Sequence, residues 1–151
     1  MAARNTNNKV KVGVKLVNDH AKLPTKGSEE AACYDIFLPD DVYLAPHSTK
    51  AVGTGLAFSI PKGYRLDMYL RSGVAAKTPV RLANAVGKVD SDYTGEVKML
   101  LTNEGGIPVR FYQGERICQF ELNKVLDLQL EETVELKETA RADGGMGSTG
   151  K

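Results

Sequence analysis

The sequence has few of the residues that build metal centres or disulfide scaffolds. Its 151 residues include two cysteines and two histidines. Cys33 and Cys118 lie far apart in apolar stretches, which is typical of buried thiols in a reducing compartment rather than of a disulfide or a zinc site. His20 and His47 each stand in loop-like sequence without neighbouring ligands. The pattern therefore argues against a transition metal held by the protein itself.

An excess of one charge and long apolar runs are also lacking. The formal net charge is +1 and no block of like charges occurs, so the sequence lacks a broad surface for nucleic acid or anionic membrane. No apolar run approaches the roughly 18 residues of a membrane helix. We therefore expect a cytoplasmic protein, or one of the nucleus or host-cell interior if its source is eukaryotic or viral. It is expected to bind neither membranes nor nucleic acid directly.

Period-two alternation of apolar and polar residues replaces the helical period along most of the chain. In residues 9–17, for example, three valines and Leu16 alternate with lysines, as in a half-exposed antiparallel strand. About ten short runs separated by turn signals predict an all-β domain over residues 1–151, either a sandwich or a jelly-roll barrel. Residues 72–77 predict at most one short helix, and the glycine-rich residues 141–151 predict a mobile tail.

The other predicted strands share apolar, mostly alternating sequence bounded by turn residues. They cover residues 33–38, 41–44, 55–60, 64–70, 80–86, 96–101, 109–112, 116–122 and 125–132.

Five polar or glycine-rich segments interrupt these strands. They are residues 31–35, 70–75, 84–96, 114–119 and 141–150.

Two of the five segments carry groups that suit a phosphate ligand, and a third carries a carboxylate. Arg71, Ser72 and Gly73 offer a guanidinium, a hydroxyl and a backbone amide, although the same triplet also forms ordinary turns. In residues 84–96, Asp90 stands on a glycine-bounded hairpin, where it shapes the turn, binds a cation weakly or acts as a general base. The glycines of the last segment supply many amide donors, or simply a disordered tail.

In order and spacing, the five segments resemble the five motifs of the homotrimeric dUTP pyrophosphatases (dUTPases). The resemblance covers residues 31–150, and its most specific part is GKVDSDYTGE followed by GERICQ and GGMGSTG. It implies a jelly-roll or distorted β-barrel subunit and a homotrimer with shared active sites. It also implies the hydrolysis of dUTP to dUMP and pyrophosphate, which limits uracil in DNA and supplies dUMP for dTMP synthesis.

The resemblance also implies the roles of individual residues. Asp90 matches the aspartate that activates water for in-line attack on the α-phosphate. Asp35 matches a carboxylate that contacts Mg²⁺ through water, while the substrate phosphates hold the metal. The implied substrate-binding residues are Arg71, Ser72, Gly73, Asn84, Gly87, Lys88, Val89, Tyr93, Lys98, Arg116, Gln119, Arg141, Met146, Gly147, Ser148 and Thr149.

Selectivity and closure follow from the same resemblance. Asn84 and the backbone of the hairpin are expected to select uracil, and the Tyr93 ring is expected to lie under the deoxyribose. The tail is expected to close over a site formed by two other subunits. Met146 stands where the family usually has an aromatic residue that stacks on the base.

Two alternatives use the same pocket. The related dCTP deaminases share the fold and the phosphate grip but hydrolyse the amine of the base. A nucleotide-binding regulatory module would bind without turnover. The intact motif around Asp90 favours the dUTPase reaction over both.

Overall fold

The computed structural model describes residues 9–147 and contains ten strands and one short helix in that range. The strands are β1 (Gly13–Leu16), β2 (Tyr34–Phe37), β3 (Val42–Leu44), β4 (Ser48–Ser59), β5 (Tyr64–Leu70), β6 (Val80–Leu82), β7 (Gly87–Val89), β8 (Glu96–Asn103), β9 (Val109–Phe111) and β10 (Arg116–Lys124). The helix α1 spans Ser72–Lys77, as predicted. No helix among the described residues is long and apolar enough to cross a membrane.

Antiparallel pairing joins the strands into two four-stranded sheets and one two-stranded ribbon. The first sheet has the order β1-β4-β8-β6, the second has the order β2-β10-β5-β7, and β3 pairs with β9. The buried faces of the two sheets form one apolar cluster, in which Phe58 of the first sheet meets Phe120 of the second edge to face at 5.3 Å. This arrangement confirms the predicted all-β, jelly-roll fold.

The strand β5 and the helix α1 together place one group of predicted site residues. Arg71 follows β5 in extended conformation, and its carbonyl accepts hydrogen bonds from the amides of Val74 and Ala75 to start the helix. The helix ends at Thr78, whose backbone is extended at φ −134° and ψ 156°, and the amide and hydroxyl of Thr78 both donate to the Val74 carbonyl. The following Pro79 disfavours further helix. Ser72 and Gly73 are therefore held in the first turn, next to the end of β5.

The strand β4 is longer than predicted and contains a bulge. The prediction covered residues 55–60, whereas the strand begins at Ser48, and its register against β8 shifts between Gly53 and Ala57. Gly55 lies in the bulge with φ +69°, and a Cβ there would lie 2.7 Å from the Cβ of Ala21. Glycine is required at this position because both the left-handed backbone and the close approach exclude a side chain.

Two further strand predictions have the wrong boundaries. β1 begins at Gly13, because its antiparallel register with β4 covers only Gly13–Leu16. The strand predicted over residues 80–86 ends at Leu82, because Ala85 adopts φ +60° and its amide donates to the Leu82 carbonyl. Asn84 therefore lies in the turn before β7 rather than on a strand.

The strand predicted over residues 125–132 is also wrong. This segment has no secondary structure, and Leu126, Leu128 and Leu130 are 81%, 77% and 86% exposed. A strand needs a neighbour to pair with, and no strand among the described residues lies beside it. The three leucines therefore form an exposed apolar stretch on this chain.

Candidate active site

Asp35 holds two of the predicted arginines at the end of the second sheet. Its carboxylate is 4% exposed and lies 3.3 Å from Arg71 Nε through one oxygen and 3.3 Å from Arg116 Nη1 through the other. Arg71 is also tied to β10, since its amide donates to the Ile117 carbonyl and its Nη1 donates to the Arg116 carbonyl. One buried carboxylate therefore orients two guanidinium groups and leaves the cluster with a net positive charge.

A polar cavity of about 370 Å³ opens beside this arginine pair. Its lining includes Arg71, Ser72, Gly73 and Gln119, which the resemblance assigns to phosphate binding, together with Lys77 and Thr78. Gln119 reaches this place because it lies opposite Asp35 of β2 and Tyr69 of β5 in the antiparallel register. The lining offers a hydroxyl, an amide group and cationic side chains, which are the donors that suit a phosphate group. Lys77 and Thr78 were missed because the sequence marks them only as the end of a short helix.

The hairpin after β6 carries the second group of predicted residues. Asn84 and Asp90 are exposed on either side of β7, and the Tyr93 amide donates to the Asp90 carbonyl at 3.2 Å. The Tyr93 hydroxyl donates to the Glu96 carbonyl at 2.8 Å. β7 forms the edge of its sheet, so one side of Gly87–Val89 has no partner strand among the described residues. Lys98 is exposed further along β8, opposite Gly53.

The strand register separates these two groups within one chain. Val89 pairs with Leu66, so the next residue, Asp90, continues towards the beginning of β5. Arg71 lies just past the opposite end of β5. Six residues of strand separate Arg71 from the position opposite Asp90, which is about 20 Å at the usual rise of roughly 3.3 Å per residue. The proposed base and the phosphate-binding cluster therefore do not meet within one copy of the chain.

A buried acid that the sequence analysis missed supports the hairpin from the sheet. Asp67 is 2% exposed and lies 2.8 Å from Lys88 Nζ, 2.9 Å from Arg65 Nε and 2.8 Å from Asn123 Nδ2. Burial alone would raise the pKa of Asp67, but the hydrogen bonds from Arg65, Lys88 and Asn123 outweigh it and lower the pKa to about 2. The sequence contains one sign of this network, namely an acidic residue that follows Arg65 by two positions in a strand whose other residues are apolar or aromatic.

A second pair on the same face continues this polar network. The Tyr69 hydroxyl donates to Glu121 at 2.8 Å, and Asn123 donates to the same carboxylate oxygen at 3.1 Å. The hydrogen bond to Glu121, with burial as a smaller cause, raises the pKa of Tyr69 to about 12. Tyr69 therefore remains a neutral donor beside Gln119, its partner in the β5–β10 register.

The tail residues lie apart from both groups. Arg141 and Gly144 form a tight turn, in which Arg141 Nε donates to the Gly144 carbonyl at 2.7 Å. The Met146 side chain is fully exposed, and Gly147 adopts φ +88°. Ser148 and Thr149 lie outside the described residues. Within residues 9–147, the tail forms no contact that completes either half of the site.

The chain matches the family described as dUTPase over residues 19–150. The deoxyuridine 5'-triphosphate nucleotidohydrolase of Nautilia profundicola is 39% identical over 142 residues, which cover 94% of this chain and all of that protein.

Solved structures of dUTPases have the same fold as this chain. A mutant dUTPase of Staphylococcus bacteriophage 80alpha with dUpNHpp has a TM-score of 0.86 at 26% identity, covering 95% of this chain and 100% of that one. A mutant dUTPase from phage phi11 of S. aureus, whose structure concerns the coordination of a structural Mg(II) ion, shares the fold at a TM-score of 0.76 and 24% identity, over 83% of this chain and 98% of that one.

The chain belongs to the dUTPase family. It is an enzyme that hydrolyses dUTP, and this assignment favours that reaction over the deaminase and regulatory alternatives. The charged cluster and the Asp90 hairpin, which the resemblance assigns to substrate binding and catalysis, lie at opposite ends of one strand.

The Asp67 network predicts an acid-sensitive contribution to stability. The pKa of Asp67 is lowered from 3.8 to about 2 by folding, so its contribution is present above about pH 4 and is lost as the pH falls towards 2. We expect Asp67→Asn to reduce the free energy of unfolding at pH 7 by about 2 kcal/mol, and the difference from wild type to shrink by about half at pH 3. Urea unfolding at fixed protein concentration measures both values.

The exposed Asp92 provides the matched control for this experiment. Asp92→Asn should change the free energy of unfolding by less than about 0.5 kcal/mol at either pH. A difference between Asp67→Asn and wild type that is the same at pH 3 and pH 7 would contradict the assignment of a lowered pKa to Asp67.

Proposed function

We propose that each active site is formed by neighbouring copies of the chain, with the Asp35 cluster from one copy and the Asp90 hairpin from the next. The separation of about 20 Å between these groups in one chain carries this proposal. A contact between one end of a subunit and the other end of its neighbour generates a ring when the rotation closes. The family resemblance supports a ring of three. The exposed leucines at residues 126–130 supply apolar surface for such an assembly.

In the assembled site, Arg71, Arg116 and the Ser72–Gly73 turn bind the triphosphate of dUTP. Asp35 holds the guanidinium groups of Arg71 and Arg116 in fixed orientations. These side chains therefore lose little conformational entropy when the triphosphate binds. Gln119 lies between this cluster and the attacking water. The geometry thus fixes the phosphate chain, which is the main requirement for an in-line displacement.

Asp90 acts as the general base. Its exposed carboxylate stands at the tip of a hairpin that is anchored by the Tyr93 amide and by the β5–β7 pairing. It removes a proton from water as the water attacks the α-phosphorus, and the bond to the bridging oxygen breaks to release pyrophosphate and dUMP. The neighbouring subunit supplies the phosphate on which this attack takes place.

Uracil is selected by the free edge of β7. The backbone N–H and C=O groups on the outer side of Gly87–Val89 have no partner strand among the described residues, so they are available to pair with a base edge. Lys88 presents its backbone because its side chain is held by Asp67 at 2.8 Å. Asn84 and Lys98 flank this edge. Cytosine would leave buried polar groups unpaired, and the methyl group of thymine would crowd the strand.

Magnesium enters with the substrate. Among residues 9–147, no group of three or more histidine, cysteine or acidic side chains is arranged as a metal site. Asp35 is a single carboxylate already shared by Arg71 and Arg116, which fits a contact through water better than direct ligation. When bound, Mg²⁺ neutralises phosphate charge and polarises the phosphoryl oxygens. Asp35 would hold its water shell in place.

The tail of a third copy closes the site. The turn at Arg141 places a guanidinium ahead of a glycine-containing stretch, and the fully exposed Met146 is free to cover the uracil ring with its thioether. Gly147, Ser148 and Thr149 follow the triphosphate. Closure excludes water, and opening releases the products, so the segment cannot belong to the core.

We also propose that the enzyme acts in the cytoplasm. Both cysteines are free thiols, and burial raises the pKa of Cys118 to about 12, so that this thiol is inert. Free thiols of this kind suit a reducing compartment.

The substrate assay tests the reaction directly. The protein with Mg²⁺ is incubated with dUTP, dTTP, dCTP and UTP, and both pyrophosphate and ammonia are measured. At enzyme concentrations that suffice for dUTP we expect pyrophosphate from dUTP alone, because only that base and sugar fit the β7 edge and Tyr93. Ammonia from dCTP would support the deaminase hypothesis instead. Binding of nucleotide without either product would support a regulatory module.

Asp90→Asn tests the assigned base. The substitution keeps the size and shape of the side chain but removes its ability to accept the proton, so kcat should fall by roughly 10²-fold or more with KM for dUTP nearly unchanged. Steady-state kinetics measure both constants. Asp92→Asn, two residues along the same hairpin, is the control and should keep most of the activity. A kcat for Asp90→Asn close to that of wild type would remove Asp90 from this role.

A further inference from the structure

The Tyr93 ring is held by a backbone group and by the lack of a side chain beneath it. Its hydroxyl donates to the Glu96 carbonyl at 2.8 Å. A Cβ on Gly95 would lie 2.9 Å from the Tyr93 hydroxyl oxygen, so only glycine leaves room for the ring at this place. The position of the ring therefore depends on where the chain at Glu96 lies.

The side chain of Glu96 fixes that position. Glu96 is the first residue of β8, and its Oε1 accepts a hydrogen bond from the Gly55 amide at 2.9 Å, across the bulge of β4. The β4–β8 register skips from Gly53 to Ala57, so the carboxylate occupies the gap that the bulge opens. A Cβ on Gly53 would overlap Glu96 Oε1. The sequence thus leaves this space for one carboxylate.

The bulge is itself a rigid support. The Gly55 carbonyl accepts from the Val17 amide at 2.8 Å, which ties it to β1. The fully buried Thr54 donates its hydroxyl to the Val97 carbonyl at 2.7 Å and accepts from the Leu56 amide at 3.2 Å. Glu96 therefore connects Tyr93 to a part of the first sheet that has little freedom to move.

We propose that Glu96 is a positioning residue for sugar selection. Its carboxylate anchors the beginning of β8 to the β4 bulge, and its carbonyl holds the Tyr93 hydroxyl, so that the tyrosine ring stays close enough to exclude a 2′-hydroxyl. This inference rests on the proposed role of Tyr93 under the deoxyribose. Glu96 touches neither the substrate nor the reacting atoms, and it acts through the ring.

Steric exclusion explains why anchoring matters. A pocket rejects an added hydroxyl only if the side chain in contact with it is held in place. A shift of that side chain by a fraction of an ångström would relieve the overlap. With Glu96 anchored, a ribonucleotide either strains the hairpin or loses the hydration of its 2′-hydroxyl. Without the anchor, the ring is free to move back, and the ribonucleotide fits.

The test compares kcat/KM for dUTP with kcat/KM for UTP. In Glu96→Ala, the ratio should fall about tenfold, the scale of one lost steric contact. Glu96→Gln keeps an oxygen that accepts from the Gly55 amide, so it should retain the ratio to within about twofold. A merely structural role would lower both rates together and leave the ratio unchanged.

Two glycine substitutions test the Glu96 contact without changing Glu96 itself. Gly53→Ala displaces the Glu96 carboxylate, whose flexible side chain can rotate away, so the protein should fold while the ratio falls as in Glu96→Ala. Gly63→Ala strains the backbone at φ +85° but meets no atom within 4 Å, so it controls for general destabilisation and should leave the ratio unchanged.

A folded Glu96→Ala protein with the wild-type ratio would overturn the proposal. If Glu96→Ala does not fold, Gly53→Ala decides: a lowered ratio supports the anchor, and a wild-type ratio refutes it. The wild-type enzyme is assayed first with both nucleotides. Hydrolysis of UTP as fast as dUTP by the wild type would contradict the proposed function itself, which separates that failure from a failure of the inference about Glu96.

Discussion

The antiparallel pairing of β5 with β7 and β10 is the constraint on which the site depends. β10 brings Gln119 and Arg116 to one end of β5, where Arg71 begins α1. β7 runs the other way from Met68 to Leu66, so the chain leaves it with Asp90 at the opposite end. Backbone hydrogen bonds at every step fix this register. The two groups of predicted site residues are thereby held apart within each chain.

In the proposed assembly, this separation gives the enzyme two rigid surfaces in place of one flexible pocket. At one end, the buried Asp35 aligns two arginines before the substrate arrives. At the other, Asp67 clamps Lys88 and Glu96 supports the turn that carries Tyr93. Groups that are aligned in advance lose little entropy on binding and need little rearrangement in the transition state. In the proposed assembly, the contact between subunits brings these prepared surfaces together.

Much of this organisation could be predicted from local sequence. Period-two alternation located β5 with its observed bounds, and turn residues located α1 at Ser72–Lys77. The wrong predictions arose where pairing with a distant strand, or the backbone conformation of a single residue, decides the outcome. Residues 125–132 alternate like a strand but have no partner strand among residues 9–147, and Asn84 follows Leu82 into a turn because Ala85 adopts a left-handed conformation. Alternation reports which side chains suit a sheet, but it cannot report whether a neighbouring strand exists.

The functional residues divide in the same way. The resemblance to the dUTPase motifs predicts the roles of Arg71, Asp90 and Tyr93, because the order and spacing of those motifs are specific. The supporting residues Asp67 and Glu96 were missed, because single acidic residues are common on strands. Their roles depend on the ion pair with Lys88 and the hydrogen bond from Gly55, which form only in the folded chain. Their contacts join positions that are 21 and 41 residues apart in the chain.

Mixed assembly of two inactive variants tests the shared site most directly. Arg71→Ala and Asp90→Asn chains are purified, combined in equal amounts, unfolded in urea and refolded together, and dUTP hydrolysis is compared with that of each variant refolded alone. The shared site predicts recovery of up to about a quarter of wild-type activity, since random assembly in a ring gives that share of sites an intact Arg71 from one chain and an intact Asp90 from its neighbour. Activity no greater than the average of the two variants would show that each chain builds its own site and would contradict the account.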